Sequence, residues 1–273
     1  MNNDSNINKR LPGTTTAAAA VVAGGADSFD LALARELAEF SRRAYAPDAM
    51  DTILGTSHDD TKVLIKDAGD YIVLAFRGTA NLRDWLTDIR IEKKMLANGL
   101  GIHSGFMGAI NAILPDLVSS LAHPDDEKPL VITGHSLGGA LAALAAYYLK
   151  ILGFKIRAVY TFASPRVGNA AFRQEYNALL RDITFRVVCS GDLVPLIPGI
   201  FTTPCDGYRH VGREVFLDGS LHLDPSRLLE LIADGWRTYV AISNDDWDFI
   251  LQFHSITDDY IPALQRLAPI ATL

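Results

Sequence analysis

Leu130-Val131-Ile132-Thr133-Gly134-His135-Ser136-Leu137-Gly138-Gly139-Ala140-Leu141-Ala142-Ala143-Leu144 reads as an apolar strand, a Gly-x-Ser-x-Gly turn and an alanine-rich helix in direct succession. A serine on a sharp strand-to-helix turn projects its hydroxyl out of the sheet, and small residues on either side let the backbone fold tightly there. The helix that follows offers free N–H groups and the positive end of its dipole to any developing negative charge. Ser136 is thus a candidate nucleophile. The competing reading of the same residues is an ordinary strand-to-helix turn in which Ser136 only caps the helix. Its chemical partners decide between the two.

Working outward, strand and helix signals alternate. Leu31, Leu33, Leu37, Phe40 and Tyr45 recur at mostly helical spacing after Ser28, a capping residue, and Ala46-Pro47 stops the pattern. Thr61–Ile65 and Tyr71–Phe76 are β-rich runs separated by a glycine-containing turn, which predicts a hairpin. The segment 81–101 carries Leu82, Trp85, Leu86 and Ile89 at helical spacing and predicts a short amphipathic helix. A helix through Ile110, Ile113, Leu117 and Leu121 precedes the central strand. Beyond the Ser136 helix come strand Ile156–Phe162, a helix over 169–180 and strand Ile183–Cys189. This rhythm predicts an α/β fold with a mainly parallel sheet covered on both faces.

A serine nucleophile needs a histidine to accept its proton and a carboxylate to orient that histidine. Asp192 follows strand Phe185–Cys189 through Ser190-Gly191, at the carboxyl end where open α/β sheets build their sites. It is preferred over Asp206, Asp218 and Asp224, which read as turn residues. In chain order the histidine comes last, which leaves His210, His222 and His254. His210 sits in a strand-like run too close to Asp192 for a crossover, His222 in a polar loop, and His254 at the end of an aromatic-rich stretch. Spacing favours a late histidine without separating the last two.

Several motifs in order resemble the class 3, or fungal-type, triacylglycerol lipases of the α/β-hydrolase superfamily. They are Ala75-Phe76-Arg77-Gly78-Thr79, Asp84-Trp85 with Asp88, His103-Ser104-Gly105-Phe106, Gly134 to Gly139, Phe162 to Asn169, Asp192 with Val194-Pro195, and Tyr208 to Gly212. The resemblance implies a serine ester hydrolase with Ser136, Asp192 and His254 as its triad and His210 as a structural histidine. It further implies that Thr79 and Leu137 form the oxyanion hole, that Leu82, Trp85 and Leu86 lie in a lid, and that Arg166 and Asn169 brace a neighbouring loop. His135 is expected to pack or hydrogen-bond without titrating. Other readings on this scaffold are a feruloyl esterase, an acyltransferase, or a non-catalytic binding protein.

Composition narrows the partners. With 49% apolar residues, 21% charged residues and a net charge of −7 over 273 residues, the chain suits a globular enzyme and disfavours nucleic acid. No uninterrupted apolar window is long enough for a membrane span; the partner the resemblance implies is a lipid or ester substrate, with a lipid–water interface as a candidate meeting place. No His/Cys/Asp spacing implies a metal, and no cofactor is expected. Residues 1–26 are low in complexity and are expected to form a disordered tail ahead of a single domain over 27–273. Lys9 and Arg10 before a small-residue stretch only partly resemble a signal peptide, since Pro12 and three threonines interrupt it, so the compartment stays open. Cys189 and Cys205 either pair or leave Cys189 a buried thiol.

Overall fold

The computed structural model describes residues 29–49, 51–55, 61–79, 93–96, 99–121, 128–198, 207–225 and 246–267, with positions 234, 236–237, 240–241 and 244. Its strands are β1 (Thr52–Gly55), β2 (Lys62–Asp67), β3 (Ile72–Phe76), β4 (Lys93–Met95), β5 (Gly101–His103), β6 (Leu130–His135), β7 (Ile156–Phe162), β8 (Thr184–Cys189), β9 (Arg213–Leu217) and β10 (Leu221–Leu223). Its helices are α1 (Leu31–Arg43), α2 (Ser104–Ser120), α3 (Leu137–Ile151), α4 (Ala170–Leu180), α5 (Trp247–Leu251) and α6 (Ile261–Arg266).

Eight strands form one sheet in the order β1-β2-β3-β6-β7-β8-β9-β10. Neighbours from β3 through β9 run parallel, while antiparallel strands close both edges. A parallel strand buried on both faces needs apolar residues at every position, and all six residues of β6 are buried. The period of two shows in β3. Leu74 and Phe76 join Ile132, Val159 and the apolar sides of α2, α3 and α4, whereas Val73 and Ala75 face the opposite layer with α1 and Leu264 of α6. Burying both faces fixes strand register and so fixes where each strand's carboxyl end points.

Four local expectations change. The cap of α1 is Asp30, whose carboxylate accepts the Leu33 N–H at 3.0 Å, not Ser28, which lies outside the described residues. The end of the segment expected to be helical is extended instead: Lys93–Met95 pairs antiparallel with Gly101–His103, which is fully buried against the core. Tertiary pairing outweighs local spacing there. Leu82, Trp85 and Leu86 lie outside the described residues, as do residues 1–26 and Cys205. His222 belongs to edge strand β10, paired with Phe216, rather than to a loop. The run through His210 becomes a strand only at Arg213, because Gly212 takes a φ of +70° just before it. Cys189 is a buried free thiol, and burial pushes its pKa well up.

Candidate active site

Ser136 terminates β6 with φ +60° and ψ −129°, a backbone region costing a non-glycine residue about 1–3 kcal/mol. Its N–H is held by the Phe162 carbonyl at 2.9 Å, and its hydroxyl makes no cap to α3. The capping alternative therefore fails. A Cβ at Gly134 would lie 2.2 Å from the Gly138 carbonyl oxygen, and one at Gly138 would lie 2.2 Å from the Phe76 carbonyl oxygen. The second contact presses the Arg77-Gly78-Thr79 loop against the start of α3. The N–H of Leu137, first in its helix, has no intrahelical acceptor.

Asp192 and His254 meet across 62 residues of sequence. Gly191, with φ +88°, turns the chain after β8 and sits so close to the Phe253 ring that a Cβ would be 2.7 Å away. His254 Nδ1 lies 3.0 Å from each carboxylate oxygen of Asp192. A carboxylate only accepts, so Nδ1 carries a proton and Nε2 is the nitrogen left to exchange one. That Nε2 and Ser136 Oγ are both buried without a hydrogen-bond partner, and no hydrogen bond joins them to each other. Each costs about 1–3 kcal/mol to bury unsatisfied, and both keep their bonding capacity for an entering group.

Four further groups fix this pair. The Tyr260 hydroxyl donates to Asp192 Oδ2 at 2.6 Å and accepts the Cys189 N–H at 3.2 Å. The Val194 N–H donates to Asp192 Oδ1 at 3.0 Å. Burial, reinforced by the Asp192 charge, raises the Tyr260 pKa well above the phenol range, so the hydroxyl stays a donor. On the other side of His254, His135 Nε2 donates to the His254 carbonyl at 2.7 Å, and the two rings stack with centroids 4.7 Å apart. His135 Nδ1 then accepts from the Tyr45 hydroxyl at 3.0 Å. Burial first and the nearby His254 second push the His135 pKa well below 6.5. His135 is thus a neutral strut between Tyr45, just past the end of α1, and the His254 backbone. A pocket of about 310 Å³, lined by Tyr45, Thr79, His135, Leu251, His254 and Ile256, opens beside it.

The remaining candidates fall elsewhere. His210 donates through Nε2 to the Pro195 carbonyl at 2.7 Å and His222 pairs with Asp218 at 3.0 Å on the surface, so neither approaches Ser136. Arg166 donates to the Leu196 carbonyl at 2.9 Å and Asn169 to the Gly99 carbonyl at 3.1 Å, both bracing loops. Sequence reasoning missed Tyr45 and Tyr260 as site residues. No spacing signal marks either, because they join His135 and Asp192 over 90 and 68 residues. Among the described residues no cluster of acidic, histidine or cysteine side chains fits a metal.

A serine at a positive-φ turn after the central strand of a mostly parallel sheet, with an acid after β8 and a late histidine, gives the chain the α/β-hydrolase fold. Residues 73–202 match the family model described as Lipase (class 3). It is 36% identical over 162 residues to secreted mono- and diacylglycerol lipase 1 of Fusarium solani, covering 58% of this chain and 47% of that protein. It is 32% identical over 185 residues to secreted mono- and diacylglycerol lipase A of Penicillium cyclopium, covering 63% and 59%. The chain thus spans about half the length of the curated relatives it matches. The solved structure of the Rhizomucor miehei triacylglyceride lipase superposes with a TM-score of 0.56 at 25% identity, covering 67% of this chain and 77% of that one.

Proposed function

We propose that this protein hydrolyses carboxylic ester bonds of lipids through an acyl-enzyme on Ser136, within one unit over 27–273. The observation that carries this reading is the pairing of the Asp192-oriented His254, its Nε2 buried and unpartnered, with an equally unpartnered Ser136 Oγ at a strained turn. As Ser136 Oγ attacks the ester carbonyl carbon, its proton passes to His254 Nε2 and the carbonyl π electrons move onto oxygen. The N–H groups of Thr79 and Leu137 receive that oxyanion, a contribution typically worth 10²–10³ in rate per donor. Collapse breaks the bond to the alcohol oxygen, which leaves with the proton from His254. Water, deprotonated by the same nitrogen, then attacks the acyl carbon and frees the acid and Ser136.

Lipid esters as the substrate class follow the names of relatives, which include mono- and diacylglycerol lipases and an Arabidopsis phospholipase A(1). Contact with lipid through Leu82, Trp85 and Leu86 in a lid is part of the same proposal. The Fusarium and Penicillium relatives are named as secreted, and none of the described helices is long and apolar enough to cross a membrane.

The test is labelling with a fluorophosphonate together with turnover of diacylglycerol, short p-nitrophenyl esters and feruloyl esters. The expected result is one label per chain, lost in Ser136→Ala, with lipid esters turned over fastest. Absence of labelling in the wild-type chain refutes catalysis by Ser136, and preference for feruloyl esters refutes the substrate class.

A further inference from the structure

Alongside β8 and the start of β9 lies a second cavity of about 580 Å³, whose walls include Arg166, Arg173, Arg186, Arg209 and His210. The chain as a whole carries a net charge of −7, so a concentration of guanidinium groups in one cavity is a local reversal of sign. Its carboxylates are already committed. Glu214 binds Arg186 at 2.7 Å, Asp224 is shared by Arg213 and Arg181 at 3.1 and 3.4 Å, and Asp234 binds Arg237 at 3.2 Å. Asp192, on the same wall, is turned to His254 and Tyr260.

That leaves Arg166, Arg173 and Arg209 with no ion pair among the described residues. Arg166 spends one nitrogen on the Leu196 carbonyl, and Arg209 one on the Tyr208 carbonyl at 3.0 Å. Two half-buried groups report the resulting field. The Arg166 guanidinium is pushed down to about 10 by burial and then by Arg186 and Arg209. His210 is held well below 6.5 by burial, with Arg186, Arg166 and Arg173 adding to the effect. Positive potential inside a concave, partly desolvated site is what an oxyanion with more than one charge needs, and guanidinium forks suit its geometry.

We propose that this cavity binds a phosphate group carried on an organic body, held by Arg166, Arg173 and Arg209. Three uncommitted cations match a dianion better than a carboxylate, and the volume lies in the range of small-molecule sites rather than that of a bare ion. The same chemistry comes from a soluble phosphomonoester or from a lipid headgroup. Because Cys189, Gly191 and Asp192 form part of the wall, the ligand sits against the loop that carries the acid of the Ser136 site.

Binding is measured in the full chain carrying Ser136→Ala, so that turnover plays no part and failure here leaves the proposed hydrolase reading untouched. Arg173 and Arg209 are exposed, so Arg173→Gln with Arg209→Gln removes two contacts without opening the core. Titration calorimetry with glycerol 3-phosphate is expected to show one site, tighter than inorganic phosphate, and weakened at least tenfold in the double variant. If the ligand is a headgroup, phosphatidic acid vesicles sediment the protein, phosphatidylcholine vesicles do not, and the double variant abolishes the difference. Three results would overturn the proposal. They are silence in both arms, binding unchanged by the double variant, or inorganic phosphate binding as tightly as the ester.

Discussion

One buried and one half-buried neutral histidine make the stability of this protein acid-sensitive, and the size of the effect follows from their surroundings. His135 is enclosed by Tyr45, His254 and Tyr260, and His210 by the Pro195 carbonyl with Arg166, Arg173 and Arg186 nearby. Both have their pKa pushed well below 6.5, by burial first and then by the adjacent His254 or arginines. The unfolded chain binds a proton at each position as pH falls through about 6.5, while the folded chain does not. Stability is therefore fully present above that value and is lost below it, by about 1.4 kcal/mol per pH unit for each histidine. Together the two amount to at most about 4 kcal/mol between pH 7.5 and 5.0, a large share of the 5–15 kcal/mol typical of a folded domain. Urea unfolding followed by circular dichroism at half-unit steps reads this directly, and His210→Gln, which keeps a donor for the Pro195 carbonyl, is expected to halve the slope. A stability that stays flat over this range, or a slope that His210→Gln and His135→Gln both leave unchanged, would refute the reasoning.

Tyr260→Phe removes a hydrogen bond to the buried Asp192 carboxylate and orphans the Cys189 N–H, interactions of which the first is worth about 1.5–3 kcal/mol. The expected outcome in steady-state kinetics is a kcat lower by about tenfold with KM unchanged, since the tyrosine touches the acid and not the substrate. Gly138→Ala places a methyl group 2.2 Å from the Phe76 carbonyl oxygen and 2.8 Å from the Arg77 carbonyl carbon, both backbone atoms that no rotamer change can move. A loss of about 3 kcal/mol is expected by denaturant unfolding, together with a lowered kcat as the Thr79 loop is pushed from α3.

Much of the architecture was legible in local pattern. The strand, Gly-x-Ser-x-Gly turn and helix over 130–144, the hairpin of β2 and β3, and the later βαβ rhythm all follow from burial period and turn chemistry. Each of those signals lies within a short window of chain. The β4–β5 pair and the placement of His222 in an edge strand were not legible, because their strands exist only by pairing with a partner elsewhere.

The sequence alone determined that Ser136 stands at a strand-to-helix turn of an α/β sheet and that an acid and a late histidine were available to it. Local residue choice fixes backbone conformation and which face is buried, and the order of motifs carries the rest. Only the tertiary structure decided that Asp192 bonds to His254, that Tyr260 holds that carboxylate, and that Tyr45 and His135 brace the His254 backbone. It alone also gathered Arg166, Arg173 and Arg209 around one cavity. These contacts span tens of residues of chain, so they depend on how β6, β7, β8 and β9 stack side by side, a geometry that no single window of sequence encodes.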